Sequence, residues 1–304
     1  MSDQPFFSIV IPTYNRAHLI LKTLETVLKQ TFKDFEIIVI DNASTDNTAE
    51  VLSPLVGSNA IRFIVHDRNY ERAQSRNTGM MHARGRFVTF LDSDDLMYPD
   101  NLKDAFDFHN AHEHLHIFHN LYELVNEESV PIYHYRFHSI DNPVKSIAQG
   151  NFLSCIGVFI SHEIFSKFRF DTHSELQGME DWEFWIRILA RYEVGRIDKM
   201  NSGIVHHGGR SLAHYEFESY LVKKDYVMGK IKTDPTLMNV YAKYLNDFEC
   251  SCYMLAASQA NTAGFHDIAW RFLQVALRKN ALLVVNLRFL RILQISFLRI
   301  KSKI

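Results

Sequence analysis

Four short apolar runs, at residues 7–11, 35–40, 61–66 and 87–91, alternate with stretches whose apolar residues recur at helical spacing. Such runs, rich in β-branched residues, read as buried strands. Strand–helix alternation implies a parallel sheet covered on both faces. Pro12 is expected to end the first strand, because proline cannot donate to a sheet ladder. Asn15 is then expected to cap a helix on which Leu19, Leu24, Val27 and Leu28 recur. The second run ends in Asp41-Asn42 and the turn-rich Ala43-Ser44-Thr45-Asp46. After the third come Asp67-Arg68-Asn69 and a helix through Arg72, Arg76 and Asn77.

In sheets of this kind ligands bind beyond the C-terminal strand ends, where the strand order reverses. If the first and fourth strands are neighbours there, Pro12, Thr13, Tyr14 and Asn15 face Asp92, Ser93 and Asp94 across one crevice, with Asp41 beside them. The run Asp92-Ser93-Asp94-Asp95 puts three carboxylates within four positions. Clustered carboxylates are costly unless something positive sits among them, and a hard divalent cation bound to phosphate oxygens meets that need. Taken alone, the run reads more readily as a solvated acidic turn before the next helix. The three other strand ends reverse that preference. Tyr14 could stack on a base, and Asp41 could accept hydrogen bonds from a base or ribose. Asp41 serves equally well as a turn-former.

The residues Ile11-Pro12-Thr13-Tyr14-Asn15-Arg16, Val39 to Asp46, Ala73 to Gly79, Asp92 to Asp95 and Gly178-Met179-Glu180-Asp181-Trp182 together resemble a family 2 glycosyltransferase. Each motif is weak alone; the five in order, across about the first 210 residues, are specific. The resemblance implies an α/β chain of GT-A type, with a Rossmann-like, mostly parallel sheet, flanking helices and a helical C-terminal extension. It implies transfer of a sugar from a nucleoside-diphosphate sugar, a UDP-sugar first among them, with inversion and with Mg²⁺ or Mn²⁺. By the same resemblance Pro12, Thr13, Tyr14, Asn15 and Asp41 adjoin the base and ribose. Asp92, Ser93 and Asp94 form the metal and diphosphate segment, Asp92 and Asp94 both candidate metal residues with Asp94 preferred as the direct ligand, and Arg76 lies near the nucleotide. Many relatives carry a glycine shortly after the position of Asn69. Here Tyr70-Glu71 occupies that stretch, which leaves Arg72 as an alternative to Arg76.

A chain of 304 residues more often holds a large domain with an appendage than one uniform unit. Residues 1–212 are expected to form the catalytic domain, 1–104 its nucleotide-binding half and 105–212 its acceptor side. Residues 213–304 are expected to be helical. A net charge of −2 gives no global pull toward nucleic acid. Three cysteines and no secretory leader before Phe6 suggest a reducing cytoplasm. No apolar run is long and uncharged enough for an ordinary transmembrane helix.

Inversion requires a base to deprotonate the acceptor hydroxyl. Glu180, Asp181 and Glu183 all stand in a first helical turn, where acids also favour the helix dipole. The resemblance selects Asp181. His206-His207-Gly208-Gly209-Arg210 reads as a polar loop able to close on phosphate, and the resemblance makes a histidine there, His207 before His206, a contact of the metal. The histidines at 109, 112, 114, 116 and 119 lack the cysteine partners common in zinc sites and read as structural. After Asp267 no carboxylate follows, whereas Arg288, Arg291, Arg299 and Lys303 fall on one side of a helical wheel opposite Leu287, Leu290, Leu293, Phe297 and Leu298. Such a tail suits the surface of an anionic membrane, or packing against its own domain or a second subunit. The whole reads as a cytoplasmic enzyme, peripheral on the inner face of the cell membrane. It would act on a saccharide or lipid-linked glycan in bacterial surface polysaccharide (O-antigen or capsule) synthesis. A sugar nucleotidyltransferase and a non-catalytic glycan- or lipid-binding module stay open; the lack of a glycine-rich phosphate loop after the first strand disfavours the former, and the intact aspartates the latter.

Overall fold

Seven consecutive buried residues, Phe7–Thr13, form strand β1 at the middle of the parallel half of a mixed sheet. The computed structural model describes residues 4–135, 137, 141–207 and 217–298. The other strands are β2 (Phe35–Asp41), β3 (Arg62–Val65), β4 (Phe87–Phe90), β5 (Leu96–Met97), β6 (Ile117–Val125), β7 (Pro131–His134), β8 (Val158–Ser161) and β9 (Val194–Val205). They lie in the order β3-β2-β1-β4-β8-β6-β9-β5, with β7 on β6. Burial on both faces explains the apolar run Ile9–Pro12 of β1, where a half-buried strand would alternate. β1 runs one residue past Pro12, which pairs with Ile40 near the strand's end.

The parallel half, β3-β2-β1-β4, matches the alternation in sequence, and β1 and β4 are neighbours in parallel register. Beyond β4 the sheet changes character. β8 runs antiparallel to both β4 and β6, β9 runs parallel to β6, and β5 antiparallel to β9. Helices Ile20–Leu28, Thr48–Gly57, Glu71–His82 and Asn101–Ala111 alternate with the strands. The core includes Phe7, Ile9, Ile11, Phe87, Phe118 and Phe159. A Cβ on Gly79 would lie 2.1 Å from Val10 Cγ1, so glycine lets the helix Glu71–His82 approach β1 closely. That approach brings Arg72 and Arg76, one turn apart on the helix, toward the strand ends.

Two compact units emerge from the packing, and they are not contiguous in sequence. The described residues within Met1–Ser139, Leu153–Thr172 and Arg191–Arg210 form the first, which contains the whole sheet. Those within Ile140–Phe152, His173–Ala190 and Ser211–Ile304 form the second, which is helical. Segments that precede residue 212 thus pack with the C-terminal helices. The reason is apolar and hydrogen-bonded contact: Trp182 packs edge-on against Phe248 at 5.0 Å, the Tyr241 hydroxyl donates to Ile186 O, and Ser251 Oγ donates to Gln149 O. The final helix, Leu287–Leu298, packs on its own unit through Phe289 and Ile292, and Asn261 Nδ2 donates to Ile292 O and Ser296 Oγ. The tail residues Arg299, Lys301 and Lys303 lie outside the described residues.

Candidate functional site

The C-terminal ends of β1, β2 and β4 gather the loops singled out from sequence, all within the first unit. Asn15 caps no helix; the helix that follows starts at Ile20 after an N-cap at Leu19. Asn15 instead takes a left-handed backbone (φ 51°) and ties two loops together. Its side-chain oxygen accepts from the N–H of Thr45 at 2.8 Å and of Asp46 at 3.3 Å, and its own N–H donates to Ser44 Oγ at 2.9 Å. This lacing fixes the loop that carries Tyr14, which stays 41% exposed. Thr13 and Asp41 are register partners at the ends of β1 and β2, and both are buried. Among the described residues the Thr13 hydroxyl has no hydrogen-bond partner, which is costly for a buried polar atom and leaves it able to meet a ligand. Asp41 Oδ1 accepts from Ser44 N and Ser44 Oγ, so Asp41 does form the turn.

A second lace runs through His66, whose Nδ1 meets Asn42 Oδ1 at 3.0 Å and whose Nε2 meets Thr78 Oγ1 at 2.9 Å. Burial pushes the His66 imidazole below its usual range, consistent with a neutral ring that bridges the two partners. Next to it Glu71 adopts φ 72°, a region that favours glycine, at the stretch where the family resemblance implies one.

Past β4 the acidic run divides its labour. Asp92 is held by two arginines at once: Arg76 Nη2 donates to Oδ1 at 2.9 Å and Arg72 Nη1 to Oδ2 at 3.3 Å. Sequence reasoning weighed Arg72 against Arg76; the structure brings both together. The Arg76 guanidinium is almost wholly buried, over the ring of Phe170 at 5.6 Å. Ser93 is buried as well. Asp94 Oδ2 lies 3.0 Å from His207 Nε2 and 3.6 Å from Arg16 Nε. Asp95 is structural: its Oδ1 accepts from the Val205 N–H at 3.0 Å and its backbone oxygen from Thr23 Oγ1 at 2.9 Å. Nothing in the sequence separated Asp95 from its two neighbours, because its partners lie 110 and 72 residues away.

Three arginines and a histidine thus converge on two carboxylates. The excess of positive charge suits a polyanion such as a diphosphate. Asp94 and His207 are the pair with the right chemistry to hold a divalent cation. Among the described residues no group of three or more His, Cys, Asp or Glu is placed to hold a metal. Two protein ligands suit an ion that completes its shell with phosphate oxygens and water, as Mg²⁺ commonly does. Gly208, Gly209 and Arg210, read as a closing loop, lie outside the described residues.

The second unit holds the acids of the helix Glu180–Leu189. Glu183 is neutralised by Arg187 at 2.7 Å and by Lys230, and is 2% exposed. Glu180 Oε2 accepts from the Gly178 N–H at 2.6 Å. Asp181 is half-buried; its Oδ1 accepts from the Trp182 N–H at 2.7 Å and its Oδ2 from Asn151 Nδ2 at 3.0 Å. Sequence reasoning missed Asn151 and Lys223. The Lys223 ammonium is buried, donates to Ser219 Oγ, and is pushed below the usual lysine range by burial, an effect that Glu180 opposes. Two of the clustered histidines, 109 and 119, are buried in the first unit, and burial lowers the His119 imidazole to about 4.

The model for Glycosyl transferase family 2 matches residues 8–176. An uncharacterized glycosyltransferase of Rickettsia felis is 31% identical over 256 residues, which cover 83% of this chain and 40% of the relative. The UDP-Glc:alpha-D-GlcNAc-diphosphoundecaprenol beta-1,3-glucosyltransferase WfgD of Escherichia coli is 28% identical over 197 residues, covering 64% of this chain and 74% of its own. Against the Rickettsia relatives the chain spans less than half of their length. In solved structures, S. aureus TarS 1-349 in complex with UDP-GlcNAc matches with a TM-score of 0.71 at 20% identity, covering 97% of this chain and 89% of that one. Mannosyltransferase PcManGT from Pyrobaculum calidifontis, in complex with GDP-Man and Mn²⁺, matches with a TM-score of 0.63 at 17% identity, covering 99% and 86%. At such identities the two structures establish the shared fold.

Proposed function

The chain belongs to glycosyl transferase family 2, and from that premise we propose that it is an inverting, metal-dependent transferase. It would move a sugar from a nucleoside-diphosphate sugar, UDP-linked by preference, to a saccharide or lipid-linked glycan of the bacterial surface. The observation that carries this reading is the convergence of Arg16, Arg72, Arg76 and His207 on Asp92 and Asp94 at one edge of the sheet. In the proposal, residues 1–212 supply the catalytic machinery. Pro12, Thr13, Tyr14, Asn15 and Asp41 receive the base and ribose, and Ser93 and Arg76 lie toward the diphosphate. Asp94 and His207 would hold Mg²⁺ or Mn²⁺, which supplies charge neutralisation for the departing nucleoside diphosphate when bound. The arginines carry the rest of that charge through hydrogen bonds to phosphate oxygens. Asp181 is the proposed base.

Calorimetry with free UDP tests the nucleotide assignment. Asp41→Ala is expected to weaken UDP binding roughly 10- to 100-fold, the consequence of losing a hydrogen bond to a charged group worth about 1.5–3 kcal/mol. Asp41→Asn preserves an oxygen for Ser44 and separates the turn from the ligand contact. An Asp41→Ala protein that binds UDP like the parent leaves Asp41 a turn residue alone.

The C-terminal helix supports a further part of the proposal, peripheral contact with an anionic membrane. Among the described residues no helix is long and apolar enough to cross a bilayer. One face of Leu287–Leu298 is packed, yet Leu287, Leu290, Phe297 and Leu298 are exposed, as is Arg291, whereas the Arg288 guanidinium turns inward toward Gly150 and Cys252, where desolvation lowers its pKa. Exposed apolar and basic side chains on one helix suit an interfacial position. Replacing Arg291 by Glu should reduce co-sedimentation with anionic vesicles, at about 1 kcal/mol per basic residue near the surface, and high salt should have a similar effect on the parent. Leu287→Ser with Phe297→Ser should remove the salt-resistant remainder. A parent protein that ignores such vesicles makes this face a contact between protein surfaces instead.

A further inference from the structure

We propose that an aromatic cluster on the hairpin β6–β7 is a binding platform for the sugar rings of the acceptor; the proposal rests on the glycosyltransferase reading and names the surface that meets its second substrate. Tyr133, Tyr135 and Phe137 alternate in sequence, and Tyr122 of β6 joins them. Ring centroids of Tyr122 lie 5.0 Å from Tyr135 and 5.2 Å from Phe137, and those of Tyr133 and Tyr135 lie 5.1 Å apart. The planes are tilted or perpendicular (58°, 82° and 87°), the arrangement that aromatic quadrupoles favour. The rings therefore brace one another without stacking face to face.

A cluster that served only the hairpin's stability would hide its rings. Tyr133 remains 38% exposed, and Tyr122, Tyr135 and Phe137 are half-buried rather than buried. Aromatic faces are electron-rich and attract the axial C–H bonds of a pyranose, while phenolic hydroxyls can exchange hydrogen bonds with its equatorial hydroxyls. Three of the four rings are tyrosines.

Placement in the sheet favours a sugar over another apolar partner. β8 is antiparallel to both β4 and β6, so β6 runs in the same direction as β4. The hairpin therefore projects from the same sheet edge as Asp92 and Asp94. At its base the His206 N–H donates to Val125 O at 2.7 Å, and the next residue, His207, meets Asp94. The platform is thus joined by backbone hydrogen bonds to the strand that delivers His207 to the donor site, all inside the first unit.

Saturation-transfer NMR with cellotetraose and chitotetraose as probes, in the presence of UDP and Mn²⁺, tests the assignment. The parent protein should bind at least one of them, with transfer to the ring hydrogens of the sugar. Tyr133→Leu keeps apolar bulk and removes the aromatic face, and should bind about tenfold more weakly. Tyr133→Phe should retain binding. UDP affinity should be the same in all three proteins. If the parent binds UDP but neither tetrasaccharide, or if Tyr133→Leu binds as tightly as the parent, the platform is wrong and the transferase reading stands. If UDP itself fails to bind, the transferase reading falls and takes the platform with it.

Discussion

Asp94→Ala is expected to lower sugar transfer by roughly three orders of magnitude or more and to abolish the gain in UDP affinity that Mn²⁺ confers. The scale follows from the several kcal/mol that an ion contributes to charge stabilisation, with a factor of ten for each 1.36 kcal/mol. The geometry gives this variant its force. Asp94 shares its Oδ2 with His207 and Arg16, whereas both oxygens of Asp92 are already engaged by Arg72 and Arg76. Asp92→Ala should therefore behave differently. It releases two arginines and should weaken the nucleotide at all metal concentrations, while leaving a metal response. Equal titrations of both variants with Mn²⁺ and UDP, alongside thermal melts, distinguish the two roles. A preserved Mn²⁺ response in Asp94→Ala would remove it from the metal site.

Asp181→Asn should cost the transfer reaction about 10²- to 10⁴-fold in kcat, the usual contribution of a general base, with UDP affinity unchanged. The neighbouring acids define the control. Glu183 is occupied by Arg187 and Lys230, and its removal would strand two cations in a buried place, so Glu183→Gln should lower the melting temperature. Glu180 is bound to the Gly178 N–H and faces the buried Lys223. Asp181 accepts from Asn151 Nδ2 and the Trp182 N–H, two neutral donors that orient its carboxylate. Asn151→Ala should then reduce kcat partway while UDP binding stays the same, as befits a positioning residue. Substantial turnover by Asp181→Asn would transfer the role to another group.

Much of the donor half was legible because its signals are local. Apolar runs bounded by Pro12, Asp41 and Asp92 mark buried parallel strands, and a strand end is where such a fold places ligands. The adjacency of β1 and β4, on which the facing of Pro12–Asn15 and Asp92–Asp94 depends, stood in the sequence only as a condition, and the structure meets it. What escaped depends on partners remote in sequence. Asp95 looks identical to Asp92 until Val205 is found beside it. Asn15 has the composition of a helix cap, yet its oxygen is claimed by Thr45 and Asp46 across the crevice. The long strands β6 and β9 mix polar and apolar residues without clean alternation, because β6 lies between β8 and β9 over part of its length and pairs with β7 farther along. The segments around Ile147 and Trp182 gave no sign that they pack with the C-terminal helices, since only Phe248 and its neighbours reveal it.

The central claim is that the edge formed by Asp92, Asp94, Arg16, Arg72, Arg76 and His207 binds a nucleoside-diphosphate sugar and releases the diphosphate. The direct measurement is UDP release from a panel of UDP-sugars by the purified chain, with Mn²⁺ and with the metal chelated. Release from at least one UDP-sugar, present with Mn²⁺, absent on chelation and absent in Asp94→Ala, is the expected result. Release that survives both chelation and Asp94→Ala, or no release and no binding of any UDP-sugar by the folded protein, would contradict it.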